Sequence, residues 1–246
     1  MAHLTIADKY IGGELDLFAN ALNWKRYWVS EIRSYVVGDV LEVGAGIGAN
    51  TGFLKSDRTS SWTCLEPDPE LADRMRKTFA TDPGLSSCQI RTASTAELER
   101  NSKFDAILYI DVLEHIADDR GEMERAASLL RENGRIIVLA PAHPFLYSAF
   151  DKAIGHFRRY DKPSLAGCSP TDCELVRLSY LDSVGLLASL SNRLLLRQPM
   201  PTLTQIVFWD RLLVPPSRYL DRLVFHRIGK SIVAVWQKRT SDTNRR

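Results

Sequence analysis

The chain is poor in the features that assign a protein quickly. Its 4 cysteines, Cys64, Cys88, Cys168 and Cys173, show no CxxC spacing, too few and too scattered for the disulfide framework of a small secreted domain. Cys168 and Cys173 stand close together, but no second pair completes a zinc site, and no metal is expected. An excess of one charge is also missing, with 32 Lys and Arg against 30 Asp and Glu and a formal net charge of +2. A nucleic-acid partner would call for a basic footprint, and no basic tract with interleaved aromatics supplies one. No apolar run approaches the ~20 residues of a membrane span. The opening stretch, MAHLTIADKYIGGELD, has no charged start leading into an apolar core, as a secretory signal would. These absences leave a cytoplasmic protein with reduced thiols as the expectation.

What is present is an ordinary globular composition, 246 residues with 45% hydrophobic and 25% charged, enough to bury a sizeable core. Short β-rich apolar runs occur at Asp39–Val43, Ser61–Glu66, Cys88–Thr92, Phe104–Ile110 and Arg135–Ala140, and stretches of helical periodicity separate most of them. That alternation predicts an α/β fold, a parallel sheet covered by helices. PDPELADRMRKTFA reads as a helix with Pro69 near its start and Leu71, Met75 and Phe79 on one face. ADDRGEMERAASLLRENGR reads as another, with Met123, Ala127 and Leu130 on one face and a stop at Gly134. Residues 14–36 read as one amphipathic helix carrying Leu15, Phe18, Leu22, Trp28 and Ile32. It either packs on the core or lies over the ligand edge of the sheet.

Three glycines in five positions, in VLEVGAGIGA, sit where the first strand ends and a helix begins. Open α/β sheets bind ligands at such a turn, because glycine lets a ligand reach the backbone and the helix offers free N–H groups. Gly44, Gly46 and Ala49 satisfy the dinucleotide pattern GxGxxG/A, and Gly44, Gly46 and Gly48 equally satisfy a GxGxG arrangement. The turn alone leaves NAD and S-adenosylmethionine open. Glu42 aims a carboxylate toward the turn, which suits a cationic cofactor better than a pyrophosphate. Glu66 closes the second strand, where an acid can accept both hydroxyls of a ribose or simply cap the following helix.

The stretch FDAILYIDVLEHI, Phe104 to Ile116, followed by NGRIIVLAPAHP, resembles class I S-adenosylmethionine-dependent methyltransferases over roughly residues 36–145. The resemblance implies a Rossmann-like, mostly parallel seven-stranded sheet with an antiparallel last strand and helices on both faces. It implies S-adenosyl-L-methionine as cofactor and S-adenosyl-L-homocysteine as product. Glu42, Gly44, Gly46 and Gly48 match the motif around the methionine moiety; Glu66, with Pro67 beside it, matches the ribose acid. Where the family often places an Asp for the adenine amino group, this chain has Ser94 or Thr95, which leaves a backbone contact at Thr95 to serve. Asp111 starts the loop near the methionine end, and His115 falls in the same turn, where it either orders the loop or meets substrate.

Downstream, PAHPFLYSAFDKAIGHFRRYDKPSL resembles a bacterial subgroup of these enzymes. His143 and His156 are candidate proton acceptors, and Arg158, Arg159 and Tyr160 are candidates to orient substrate; the bland reading docks this segment through Arg–Asp pairs. Cys173–Leu181 and Lys230–Lys238 read as strands six and seven. The long segment between them becomes a helical insertion: a lid over an apolar substrate, plain packing, a dimer surface or a peripheral membrane contact. The expected organisation is a helical cap over 1–36, a cofactor-binding core over 37–181, the insertion over 182–229, the last strand over 230–238 and a disordered tail over 239–246. The expected activity is methyl transfer to a small or lipid-like molecule, with O-methylation of a carboxylate or hydroxyl preferred over N- or C-methylation. A Rossmann-type oxidoreductase and a non-catalytic cofactor-binding protein are the alternatives from other classes. The chain is expected as a monomer or homodimer, without nucleic acid and without a transmembrane segment.

Overall fold

The computed structural model describes residues 13–99, 101–191 and 200–240. At its centre are β1 (Gly38–Val43), β2 (Thr59–Leu65), β3 (Gln89–Arg91), β4 (Phe104–Ile110), β5 (Leu130–Pro141), β6 (Cys173–Leu181) and β7 (Ser231–Lys238). They form one seven-stranded sheet in the order β3-β2-β1-β4-β5-β7-β6. The strands from β3 to β5 are parallel, and β7 runs antiparallel to both of its neighbours. The expected Rossmann-like sheet with its antiparallel last strand is what the chain forms.

Around it lie helices α1 (Gly13–Ala19), α2 (Leu22–Ile32), α3 (Thr51–Leu54), α4 (Pro69–Ala80), α5 (Asp119–Ser128), α6 (Ala149–Ala153), α7 (Lys162–Ala166), α8 (Ser183–Ser191), α9 (Leu203–Phe208) and α10 (Val214–Leu223), with short 3-10 and π-type turns between some of them. The sheet separates two cores. Val40, Cys64 and Leu108 face one, while Leu41, Leu65, Ile107 and Tyr109 face the other, which is why the central strands read as near-continuous apolar runs. On α4 the buried residues are Leu71, Ala72, Met75 and Phe79, the face its spacing predicts. Asp68 caps this helix, accepting from Glu70 N at 2.8 Å and Leu71 N at 3.2 Å, ahead of Pro69 at the first helical position.

Two helix boundaries differ from expectation. The helix read over 14–36 is α1 and α2, broken at Asn20 and Ala21. The Asn20 side chain turns back to the Asp16 carbonyl at 2.8 Å, and Ala21 has no side chain that could cap α2. Asp210 of the insertion supplies that cap, accepting from Asn23 N at 3.1 Å and Trp24 N at 2.8 Å. The second difference is at α5, which ends at Ser128. Leu130 pairs with Phe104 in the sheet, and Gly134 sits in the irregularity behind it, where a Cβ would meet the Arg131 and Phe104 carbonyls at 2.9 and 3.1 Å. Gly134 therefore lets β5 bulge between two backbones rather than stop a helix.

The described residues between β6 and β7 are mostly helical, as expected. Pro215 and Pro216 do not break it: α9 passes through a π-type turn, Trp209–Leu213, straight into α10, whose first turn holds the prolines. A wide turn suits residues that lack an N–H to continue the ladder. The outward face exposes Phe208, Leu212, Tyr219, Leu223 and Phe225, whereas the acids of this stretch, Asp210 and Asp221, are buried. Among the described residues no helix is long and apolar enough to cross a membrane. The expected tail beyond Thr240, the first 12 residues of the expected cap and residues 192–199 of the insertion lie outside the described residues.

Candidate active site

Gly44, Gly46 and Gly48 all adopt positive φ, at 62°, 59° and 75°, a region open to glycine at little cost. They have different reasons to be glycine. A Cβ on Gly44 would strike Val112 of the loop after β4 at 2.8 Å, and one on Gly48 would strike Phe79 at 2.5 Å and Met75 at 2.8 Å. Gly48 thus seats α4 against the turn. Gly46 faces Leu15 of α1 at 3.3 Å from its Cβ position, so α1 lies directly over the turn at the sheet's carboxyl edge.

Glu66 follows β2 and is buried. Its Oε2 accepts from Gly46 N at 2.7 Å and its Oε1 from Asp68 N at 2.9 Å. Asp68, not Glu66, caps α4. Each Glu66 oxygen takes one backbone donor and keeps a lone pair, a pattern that fits two adjacent hydroxyls. Burial pushes its carboxyl above the usual range, against these two N–H bonds. Pro67, exposed beside it, starts the bend into α4.

Glu42 is turned inward. Its Oε2 accepts from Thr51 Oγ1 at 2.7 Å and Trp62 Nε1 at 3.0 Å, and burial pushes its carboxyl up to about 7. Bonded in this way, Glu42 ties β1 to the start of α3 and braces the glycine turn from behind. Ser94 is used in a capping box with Glu97, and Thr95 Oγ1 donates to both oxygens of Glu122 at 2.8 and 2.9 Å. Of the two candidates at the third strand, only backbone groups are left to meet an adenine.

The loop after β4 packs on the glycine turn through Val112. Asp111 opens it with φ 54° and is exposed. Crowding by protein pushes Asp111 up to about 6, offset by His156 and Lys230. Glu114 is fully buried with neither carboxylate oxygen hydrogen-bonded. Burial and the nearby Asp111 push its carboxyl well up. His115 donates to the Gly155 carbonyl, and burial drives its imidazole down to about 3. Its ring meets His156 edge-on, with centroids 4.5 Å apart. His156 Nδ1 lies 3.0 Å from Asp151 Oδ1, and its Nε2 faces Glu114 Oε1 at 3.7 Å. Glu114, His115 and His156 each offer a ligand atom within 4.8 Å of the others.

Residues 142–160 form a loop closed by the bridge between Ala142 and Tyr160. Asp151 is its hub, accepting from His156, from Arg159 Nε at 2.7 Å and from Ser148 N and Oγ at 2.8 Å. Three of the expected substrate contacts are instead bonded to this framework. Arg158 donates to the Ile116 and Ala117 carbonyls at 3.1 and 2.7 Å and pairs with Asp119 at 2.6 Å. Tyr160 is buried, its hydroxyl on Asp119 at 2.9 Å, and Arg159 is held by Asp151. The bland reading of this segment describes them. Arg158→Ala is expected to cost about 1–2 kcal/mol of unfolding free energy and to leave nucleoside-cofactor affinity within twofold; unchanged urea stability with a raised KM would return Arg158 to the substrate.

The two candidate histidines are not brought together. His143 Nε2 contacts the Gly229 carbonyl at 2.9 Å, and its ring stacks on Tyr180 at 4.8 Å, so it steadies the strand ends; His156 joins the Asp111 side. The sequence reading missed Glu114, Asp151 and Lys230. The first two lie inside FDAILYIDVLEHI and PAHPFLYSAFDKAIGHFRRYDKPSL, so position was the available signal. Lys230 is marked by nothing in the sequence; its Nζ lies 3.4 Å from the Trp209 ring centroid, and burial lowers it to about 8. Trp209 also meets Phe18 of α1 at 6.4 Å, and Phe18 meets Phe150 of α6 at 6.4 Å. These aromatics join α1, α6 and the insertion into one apolar roof. A separate shallow concavity, lined by Phe79, Cys88 and Ile90, lies away from these groups.

Residues 41–136 match the family model described as a methyltransferase domain. No curated protein matches the chain in sequence. One similar solved structure is the complex between the Haloferax volcanii Trm112 methyltransferase activator and a protein described as a methyltransferase: 14% identity, 95% of this chain and 100% of that one, TM-score 0.61. A second, described as a sarcosine dimethylglycine methyltransferase from Galdieria sulphuraria, shares 15% identity over 87% and 84% of the two chains, TM-score 0.59. The cyclase SpnF shares 12% identity over 94% and 96%, TM-score 0.60. At such identities the likeness is one of fold, and a cyclase among these structures shows why acceptor chemistry has to come from the site.

Proposed function

We propose that this chain, a class I S-adenosylmethionine-dependent methyltransferase, passes the methyl group to a hydroxyl oxygen of a small or amphipathic acceptor. The observation that carries the reading is Glu66, fixed by Gly46 N and Asp68 N with one lone pair free on each oxygen. In this reading Glu66 holds the ribose, the backbone around Gly44 and Gly46 holds the methionine end, and backbone at Ser94 and Thr95 meets the adenine. Gly48 and Glu42 support the turn. When bound, the cofactor supplies a sulfonium whose methyl group is already activated. The protein's remaining work is to align the acceptor and exclude water.

The acceptor enters beside Asp111, under the apolar roof of Leu15, Phe18, Phe150 and Trp209. A carboxylate acceptor is disfavoured, because a further anion beside Asp111 and Glu114 would repeat the crowding that already pushes both carboxyls up. A hydroxyl fits, and Asp111 Oδ takes its proton as the oxygen reaches for the methyl carbon. His156, first expected in that role, directs its Nε2 at Glu114 instead of the opening. A second reading, N-methylation, draws support from the same acids, which would attract an ammonium.

Labelled methyl transfer from S-adenosylmethionine to a panel of hydroxyl, carboxyl and amine acceptors, read by mass spectrometry, separates these readings. The expected product carries the label on oxygen, and Asp111→Asn lowers kcat at least tenfold with S-adenosylhomocysteine affinity unchanged. Label on nitrogen overturns the hydroxyl acceptor, and an unchanged kcat removes Asp111 from proton transfer.

A further inference from the structure

Glu114 poses a problem that the methyl-transfer reading does not solve. It is completely buried, no other residue hydrogen-bonds either carboxylate oxygen, and its main-chain carbonyl is pinned by Phe157 N at 2.8 Å. A carboxyl group with no partner from another residue in such a place is costly and calls for an explanation, a bound ion among them. Two imidazoles face it. His156 is bonded through Nδ1 to Asp151, which leaves Nε2 toward Glu114. His115 is bonded to the Gly155 carbonyl. The His156 ring is thus oriented from behind by an oxygen acceptor, the arrangement that fixes the tautomer of metal-binding histidines and raises their basicity.

We propose that Glu114, His115 and His156 bind a divalent first-row transition-metal cation. Two imidazoles and one carboxylate form a donor set of the kind that holds zinc, iron or cobalt with positions left open. The three ligand atoms lie within 4.8 Å of one another, and donors about 2.0–2.2 Å from one ion stand roughly 3–4 Å apart, so small side-chain adjustments close the site. Asp111, near enough to act electrostatically on both Glu114 and His156, marks the open side. There the cation's free position would take the acceptor's hydroxyl oxygen, which would favour oxygen over a protonated amine. The proposal rests on the reading that this cluster is the acceptor end. The spacing hid it: Glu114 and His115 are adjacent, but His156 comes from the closed loop after β5.

Chelator-stripped, full-length protein is dialysed against zinc, manganese or cobalt chloride, and bound metal is counted by plasma mass spectrometry. Cobalt is also followed by its visible ligand-field bands. The expected result is about one zinc or cobalt ion per chain. Glu114→Gln and His156→Ala should each weaken binding at least tenfold, and Asp151→Asn, which removes no ligand and alters only the hydrogen bond behind His156, should weaken it about tenfold. S-adenosylhomocysteine affinity, measured on the same samples, is expected to stay within twofold and shows that each variant is folded. Wild-type protein that binds S-adenosylhomocysteine but retains no metal overturns the proposal, as do variants that bind metal like wild type. Loss of S-adenosylhomocysteine binding in the wild type would instead refute the methyltransferase reading.

Discussion

Glu66→Ala is expected to weaken S-adenosylhomocysteine binding about a hundredfold in calorimetry. Hydrogen bonds to a charged group contribute about 1.5–3 kcal/mol each, and in the proposed reading Glu66, which holds Gly46 N and Asp68 N, gives its remaining lone pairs to the two ribose hydroxyls. Losing both contacts costs about 3 kcal/mol, or two factors of ten. Glu66→Gln keeps one acceptor and loses the charge, so a tenfold loss is expected. Because burial raises the Glu66 pKa, the carboxylate that binds best is the high-pH form. Affinity should therefore fall as pH drops through that raised pKa, earlier than an exposed glutamate would cause. Wild-type affinity in Glu66→Ala would remove the ribose role.

Asp221→Ala is expected to cost about 3–5 kcal/mol of unfolding free energy, the penalty for leaving three buried donors without their charged acceptor. Asp221 is fully buried and accepts from Tyr27 Oη at 2.6 Å, Asp182 N at 2.6 Å and Ser183 N at 2.9 Å. One carboxylate therefore joins α2, the end of β6, the start of α8 and its own helix α10. Burial and the bond to Asp221 push the Tyr27 phenol far up, so Tyr27 remains a donor throughout the accessible pH range. Alanine would leave a hydroxyl and two N–H groups in the core without acceptors. Urea unfolding at neutral pH reads the loss; under 1 kcal/mol would mean that water replaces the carboxylate. Asp221→Asn, which keeps one acceptor oxygen, is expected to lose about half as much.

The strand and helix order was legible because each strand of a parallel sheet declares itself locally, as FDAILYI does, and a turn such as Glu42 to Gly48 is read from glycines and acids at a strand end. Glu66 was legible for the same reason. What escaped depends on partners distant in sequence. Nothing near Ala21 announces a helix start, because its cap is Asp210. Asp182, Asp210 and Asp221 look like ordinary surface charges until the fold buries them. Arg158 and Arg159 show the converse: residue type suggested an anionic substrate, but only the closed loop reveals that Asp119 and Asp151 already hold them. Leu130 and Gly134 fit a helical period and a helical stop, yet pairing with Phe104 claims Leu130 for the sheet.

The place of β7 bears on how the molecule is made. It lies between β5 and β6, and Ile232 to Trp236 are fully buried there, yet it is the last strand to be synthesised. While translation has reached only residue 230, β5 ends in a bare edge and β6 has no neighbour at all. Both are adhesive surfaces. The nascent chain must therefore hold a slot open through the synthesis of the whole insertion, and its dependence on chaperones should peak in that interval, ending when residues 231–238 slide in.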